Sequence, residues 1–282
     1  MLDILGFLTR LPVGRSAEIE SISKKSHLFP VVGAFVGFAV ATFAIAISRF
    51  SSENISAILT LLFLYALTGL MHLDGLADFA DGIFASGSTA EKIRAMKDEK
   101  VGISGIFAVL TVMLLCIFAI KTQISASNPY EIAQFFIVSE ISAKLSMNAC
   151  MLFGKSAELR AGIGAFFVKN FSRLKFCEAL ALALILSALA SLPFAFSSPL
   201  GASYLFFCYF FRSLLVLLGV AVGFFVSRTA KRHFGAVSGD VLGAANEIAR
   251  CVTFVSFALM HCIYLCLAAV FIQPLYGERA SK

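Results

Sequence analysis

The apolar residues of this chain are gathered into long continuous blocks, without the period of a soluble helix or strand. A helix needs about 20 predominantly apolar residues to cross the hydrocarbon core of a bilayer. Residues 1–13 are apolar but too few to cross, which predicts an interfacial or re-entrant helix. The blocks therefore predict an all-α, polytopic membrane helical bundle of about seven transmembrane helices plus short interfacial helices. The seven predicted spans are 30–48, 55–73, 103–120, 132–153, 176–196, 203–226 and 250–273.

The composition supports this class, because only 14% of the 282 residues are charged and 59% are hydrophobic. Soluble domains carry about 25% charged residues. We interpret residues 1–282 as a single transmembrane domain with cytoplasmic motif loops at 74–102 and 227–249.

The fourth block is interrupted by Glu140 and Lys144. Their spacing predicts an ion pair, and it is compatible with a functional site as well as with a structural pair in a polar cavity.

The basic residues of the connecting segments alternate in number along the chain. Alternate segments carry four, four, five and four basic residues, and the segments between them carry one, one, none and two. Basic loops face the cytoplasm, so the N-terminus is predicted to be cytoplasmic and the C-terminus outside. The net charge of +6 follows from this asymmetry and predicts contact with anionic lipid rather than with nucleic acid.

Three aspartates lie at the end of the second block, within the segment Met71–Gly82. Asp74, Asp78 and Asp81 are spaced i, i+4 and i+7, so on a helix they fall within a sector of about 60°. Three ionised carboxylates stay close together at a membrane boundary only beside a cation. Mg²⁺ suits them because it commonly bridges carboxylates and substrate phosphates. The motif therefore predicts phosphate chemistry at a membrane surface.

The rest of the 74–102 loop adds basic residues and glycines. Thr89 is a plausible N-cap for a short amphipathic helix over 90–97. Lys97 and Lys100 are placed to neutralise phosphate oxygens, whereas Lys92 and Arg94 are interpreted as a solvated helix face. Two later glycines would allow the backbone to approach an anionic ligand closely. They are Gly102 and Gly105.

The loop before the last span carries a second acidic motif, Ser238-Gly239-Asp240. Asp240 and Glu247 are seven residues apart, so they would share a face of one helix. Ser238 and Gly239 form a donor-rich helix start suited to phosphate. The alternative interpretation is an ordinary capped helix that opens the seventh span.

The segment His72–Gly82, with the sequence HLDGLADFADG, resembles the signature of the cobalamin synthase family of adenosylcobinamide-GDP ribazoletransferases. Other segments resemble the family's blocks in the same order: FLTRLPV at 7–13, FPVVG at 29–33 with Gly37, Met96-Lys97-Asp98 with Gly102 and Gly105, and SGDVLGA at 238–244 with Glu247. The family usually has an arginine after a serine in the fourth span and a Tyr-Ala-Arg element before Gly-x-Gly. This chain departs from both patterns, with Lys144 in the first of these segments and Arg160 in the second.

The resemblance implies a transferase of the prokaryotic cell membrane with its active site on the cytoplasmic side. A hydroxyl of α-ribazole, or of its 5′-phosphate, would attack the phosphorus bound to cobinamide in adenosylcobinamide-GDP, and GMP would leave. The implied metal ligands for Mg²⁺ are Asp74, Asp78, Asp81, Asp240 and Glu247. The implied catalytic residues are Asp78, Asp81, His72 and Asp240, and the implied substrate-binding residues are Lys97, Asp98, Arg10 and Arg232. A homo-oligomer, or association with other cobalamin-assembly enzymes, stays open.

Two other functions match parts of this sequence pattern. A CDP-alcohol phosphotransferase also uses aspartates near a helix end, but its Asp-Gly-x-x-Ala-Arg pattern is broken by Asp78 after Ala77. An ion-coupled transporter could use Asp74, Glu140 and Lys144 as a relay. Transport sites lie near the bilayer midplane, whereas most acidic residues here gather at the predicted cytoplasmic surface.

Overall fold

The computed structural model describes residues 1–13, 18–126, 128–154, 162–192 and 210–271, and the regular elements in these ranges are helices. The predicted all-α architecture is confirmed. The helices are α1 Leu2–Leu8, α2 Ile19–Lys24, α3 Phe29–Ile47, α4 Glu53–Thr68, α5 Met71–Phe84, α6 Thr89–Met96, α7 Ile103–Ala126, α8 Pro129–Phe153, α9 Ile163–Lys169, α10 Arg173–Leu189, α11 Leu218–Phe234 and α12 Gly239–Phe271, with 3₁₀ turns at Ser26–Leu28 and Leu214–Leu217.

Five described helices are long and apolar enough to cross a membrane, and α4 with α5 makes a sixth if the two count as one bent span. The five are Ser26–Ile47, Ile103–Ser125, Pro129–Phe153, Phe210–Phe234 and Gly239–Ile263. The fifth predicted span, 176–196, corresponds to α10, and its last residues lie outside the described ranges, as do residues 203–209 of the sixth. At its N-terminus the chain forms only the seven-residue α1, which is too short to cross.

The second predicted span, 55–73, is wrong at its C-terminal end. The helix α4 stops at Thr68, and α5 begins at Met71 after a bend of 95°. Gly69 forms the bend with a φ of +76°, a conformation that glycine adopts without steric cost. The aspartates therefore lie on a separate 14-residue helix, and this helix alone is too short to cross a membrane.

The helix α8 is the central element of the bundle, and all its residues from Val138 to Met151 are buried. Glycines on two neighbouring helices allow close approach to its backbone. A Cβ on Gly33 of α3 would lie 2.5 Å from the Glu140 carbonyl oxygen. A Cβ on Gly223 of α11 would collide with the carbonyl oxygen of Ser146. Small residues let membrane helices pack by van der Waals contact where no hydrophobic force drives association.

The helices α5 and α12 also approach closely, which positions the acidic motifs. A Cβ on Gly75 would lie 2.8 Å from the carbonyl oxygen of Asp240. A Cβ on Gly243 would lie 3.1 Å from the Cα atom of His72. This contact brings the aspartate helix against the first turns of α12.

A buried ion-pair network centred on Arg250 joins α12 to α8 and α4. Arg250 donates to both carboxylate oxygens of Glu140, at 2.5 and 3.1 Å. It also donates to Glu247 at 2.5 Å, and the Tyr65 hydroxyl donates to the other oxygen of Glu247 at 3.0 Å. Arg250 and Glu140 are fully buried. A guanidinium matches a carboxylate in this bidentate geometry. Arg250 is one of the four basic residues counted in the connecting segment before the last predicted span. That placement is wrong, because Arg250 is buried within α12.

The predicted ion pair between Glu140 and Lys144 does not form. Arg250 takes both oxygens of Glu140, and Lys144 donates instead to the Asn246 amide oxygen at 2.7 Å. Asn246 in turn donates to Glu247 at 3.0 Å. A lysine offers a point charge, so it cannot replace the two parallel bonds of an arginine.

We expect Gly223→Leu to destabilise the bundle by about 1–3 kcal/mol or more, because the new side chain would force α11 away from α8. Thermal unfolding of the purified protein in detergent would show a Tm lower by several degrees. Gly162→Ala is the control, since nothing lies within 4 Å of a Cβ there. An unchanged Tm for Gly223→Leu would contradict the close approach of the two helices.

Arg250→Met should cost about 3–5 kcal/mol of unfolding free energy, because it leaves two buried carboxylates without their cation. The triple variant R250M/E140Q/E247Q should recover part of this loss, since no unpaired charge remains. Arg228→Met, at an exposed position of α11, is the matched control. Equal Tm values for the single and triple variants would rule out the network as a charge-balanced unit.

Candidate active site

Four carboxylates from α5 and α12 form what we call the carboxylate cluster: Asp74, Asp78, Asp81 and Asp240. The helix α5 presents its three aspartates on one face, as the spacing predicts. Asp240 lies in the first turn of α12, at the contact with Gly75. Asp74 is exposed, and the other three are partly buried. The two acidic motifs of the sequence therefore meet in one place.

Asp78 is the most crowded member of the carboxylate cluster. Burial, followed by the negative charges of Asp74, Asp240 and Asp81, raises the pKa of Asp78 to about 6. An opposite charge close to Asp78, such as a bound cation, would favour its ionised form. Within the described residues, no three His, Cys, Asp or Glu side chains already form a metal-binding group. The cluster fits an ion that takes one or two carboxylates and completes its shell with substrate phosphates, as Mg²⁺ commonly does.

Asp81 accepts two hydrogen bonds from backbone amides at the start of α7. Its carboxylate receives the Gly102 N–H at 2.7 Å and the Gly105 N–H at 2.8 Å. The sequence predicted that these glycines admit an anionic ligand. In the structure the anion beside them is the carboxylate of Asp81.

Glu247 lies two turns along α12 from Asp240, about 10 Å away along the helix axis. It is 1% exposed, and its oxygens engage Arg250, Tyr65 and Asn246 in the ion-pair network. The expected role of Glu247 as a metal ligand beside Asp240 is therefore not supported by its position. Asp240 and Glu247 do share one face of α12, as predicted. Asp240 lies at the partly exposed start of that face, whereas Glu247 lies in the core.

His72 faces away from the aspartates of its own helix. It precedes Asp74 by two residues, which turns it about 200° around α5. It is 3% exposed and packs at Gly243, and neither ring nitrogen has a hydrogen-bond partner within the described residues. Among its charged neighbours are Lys144 and Arg250 of the core network. This position does not support the expected catalytic role of His72 at the cluster.

A basic wall stands beside the cluster, formed by α6 and the residues after it. Ser88 caps α6 through a capping box with Glu91, one residue before the predicted cap Thr89. Lys92 donates to the Ile83 carbonyl oxygen at 3.1 Å, which ties α6 to the end of α5. Lys92 is therefore partly buried and hydrogen-bonded, whereas the sequence indicated a solvated helix face.

An open cavity of about 600 Å³ lies on this basic wall. Its lining residues are Ala90, Ile93, Arg94, Lys97, Asp98, Glu99 and Lys100. Lys97 lies near enough to Asp240 for the two charges to interact. Arg94 is exposed, as the interpretation of a solvated helix face requires, and it also lines the cavity. The wall thus brings basic side chains next to the carboxylate cluster.

The structure places the expected substrate-binding residues in three locations. Lys97 and Asp98 share the cavity, and Asp98 accepts from the Lys100 N–H at 3.0 Å. Arg10 is exposed beside the α4–α5 bend, and its backbone N–H donates to the Leu67 carbonyl oxygen at 2.7 Å. Arg232 is exposed in the last turn of α11.

Comparison with known proteins reveals relatives along almost the whole chain. It is 31% identical over 254 residues to the adenosylcobinamide-GDP ribazoletransferase of Methanococcoides burtonii, which covers 88% of this chain and 87% of the relative. It is 33% identical to the protein of that name in Pyrococcus abyssi, covering 93% and 99% of the two chains. It is also 33% identical to that of Thermococcus kodakarensis, covering 92% and 98%.

No solved structure matches this chain. The family described as Cobalamin-5-phosphate synthase matches residues 1–258, which include the aspartate helix, the basic wall and the start of α12. The chain belongs to the cobalamin-5-phosphate synthase family.

Proposed function

We propose that this chain is an adenosylcobinamide-GDP ribazoletransferase that forms adenosylcobalamin, or its 5′-phosphate, at a membrane surface. The observation that carries the proposal is the carboxylate cluster of α5 and α12, which adjoins a basic cavity. Membership of the family and relatives of that name over about nine-tenths of the chain support it. Neither the CDP-alcohol phosphotransferase nor the ion-coupled transporter receives comparable support.

The proposed reaction is a phosphoryl transfer. A hydroxyl of α-ribazole, or of α-ribazole 5′-phosphate, attacks the phosphorus that is bound to cobinamide. A new P–O bond forms, the bond to the bridging oxygen of the diphosphate breaks, and GMP leaves with that oxygen. The hydroxyl proton passes to a base. Phosphoryl transfer needs charge neutralisation and positioning more than covalent help, which suits a site made of carboxylates and basic side chains.

Asp74 and Asp78 are the residues we propose to hold Mg²⁺. They fit the ion because their oxygens are hard ligands and their crowding calls for a cation. Bound Mg²⁺ would neutralise charge on the diphosphate. Asp240 accepts from the Ser238 hydroxyl at 3.1 Å, which orients its carboxylate at the first turn of α12. Its contact with α5 makes it the best-placed carboxylate to receive the hydroxyl proton.

The basic cavity on α6 is proposed to hold the nucleotide half of the substrate. Lys97, Lys100 and Arg94 would neutralise the phosphate of the departing GMP. Asp98, in the same cavity, is available to a hydrogen-bond donor of the nucleotide. We assign Arg10 and Arg232, which are exposed, to peripheral contacts with the substrate.

The site is proposed to lie on the cytoplasmic face of a prokaryotic cell membrane. The segments that carry it are among the basic ones, and the positive-inside rule orients such segments toward the cytoplasm. The asymmetry between the basic and the less basic segments remains when the buried Arg250 is left out of the count. Nucleotide-activated substrates would reach the site from that side.

Product formation with purified protein tests the proposal. With Mg²⁺, adenosylcobinamide-GDP and α-ribazole, we expect GMP and a complete cobalamin, and none of either when the metal is removed with EDTA. Asp78→Asn should lower kcat/KM by about 10²–10³-fold, because it removes a charge that acts on the transition state through the metal. Glu53→Gln, an exposed substitution at the start of α4, should leave activity unchanged. Absence of product from folded wild-type protein, or full activity in Asp78→Asn, would refute the proposal.

Lys97→Gln should raise both the KM for adenosylcobinamide-GDP and the inhibition constant of GMP by about tenfold or more, the worth of one charge-assisted hydrogen bond. Steady-state kinetics with added GMP measure both values. Lys24→Gln on α2 is the control because its side chain is 60% exposed and pairs with Glu20. If GMP inhibits Lys97→Gln as strongly as wild type, the nucleotide does not occupy this cavity.

A further inference from the structure

Asp81 differs from the rest of the carboxylate cluster in the partners of its two oxygens. One oxygen accepts from Gly102 at 2.7 Å and the other from Gly105 at 2.8 Å. Within the described residues, neither Asp74 nor Asp78 receives a comparable amide bond. The amides at a helix start have no acceptor in their own helix, and a negative charge there is favoured by the helix dipole. Asp81 thus caps α7 from a neighbouring helix.

The two glycines are the residue type that this contact requires. A Cβ on Gly102 would lie 2.5 Å from one oxygen of Asp81, and a Cβ on Gly105 would lie 2.7 Å from the other. These distances are too short for van der Waals contact, so any side chain would displace the carboxylate. The glycines and Asp81 therefore form one unit, in which each permits the position of the other.

This unit fixes one end of the basic wall. Residues 97–100 line the cavity, and Gly102 follows two residues later. The other end of the wall is held where Lys92 donates to the Ile83 carbonyl oxygen. Both attachments are made to the last turn of α5, at Asp81 and Ile83. The cavity residues are therefore held between two fixed points on the helix that carries Asp74 and Asp78.

We propose that Asp81 is a positioning residue that clamps residues 97–102 and so holds Lys97 and the other cavity residues in place, without binding the metal. The kinetic part of this inference rests on the proposed function, because it assigns the clamped residues to the substrate. The geometry separates the three aspartates of one motif into two roles. Asp74 and Asp78 keep their oxygens for a cation, whereas Asp81 uses its oxygens to hold the backbone.

Full-length Asp81→Asn, Gly102→Ala and the double variant test the clamp, with Asp78→Asn as the comparison. Hydrogen exchange of the amides in 97–105 should be about tenfold or more faster in both single variants, since a charge-assisted bond is lost. Binding of Mn²⁺ alone, followed by electron paramagnetic resonance, should stay within about twofold of wild type in these variants and weaken in Asp78→Asn. The KM for adenosylcobinamide-GDP should rise about tenfold, with kcat within about threefold.

The double variant supplies the sharpest readout, because residues that act as a unit have non-additive effects. The increase in its KM should equal that of either single variant. It should not equal the product of the two single-variant increases. Weaker Mn²⁺ binding in Asp81→Asn, or unchanged exchange in 97–105, would overturn the clamp. If Asp81→Asn does not fold, Gly102→Ala alone decides. If wild-type protein forms no product, the proposed function fails, and exchange and Mn²⁺ binding still decide the clamp.

Discussion

The rest of the structure depends on the ion pair that Arg250 makes with Glu140 and Glu247 in the core of the helical bundle. An unpaired charge there would be costly, so each member requires the others. The bonds fix α12 against α8, and the Tyr65 hydroxyl extends them to α4 one turn before the bend at Gly69. The ion pair fixes the position of α12 along α8. The contact between Gly75 and Asp240 depends on that position.

The chemistry is placed on elements that this core holds rigidly. Asp240 lies about three turns along α12 from Arg250, and the aspartates of α5 begin five residues after the bend at Gly69. A straight continuation of α4 would have taken Asp74 and Asp78 out of reach of α12. The bend turns the helix by 95°, so its acidic face runs across the start of α12. The site thus requires both the buried charges and one glycine with a positive φ.

The sequence allowed the helical class, the common face of Asp74, Asp78 and Asp81, and the link between the acidic motifs to be predicted. These follow from local periodicity or from resemblance. Partners across the bundle did not follow, because the i, i+4 rule favoured Lys144 for Glu140 whereas Arg250 lies 110 residues away. His72 and Glu247 lie near the aspartates in sequence but face the core. One signal in the sequence does point to Arg250. It follows Glu247 by three residues, the spacing at which two side chains on a helix meet.

The charges at the surface explain how a helix as short as α6 can contribute to the proposed phosphate site. The carboxylate cluster alone would repel a diphosphate, and the basic wall alone would bind any anion. Side by side, they favour a ligand that carries a phosphate for the wall and a cation for the cluster. Lys97 near Asp240 is the point where the two fields meet. Selectivity then depends on the separation of wall and cluster, which is fixed by the attachment of residues 92 and 102 to the last turn of α5.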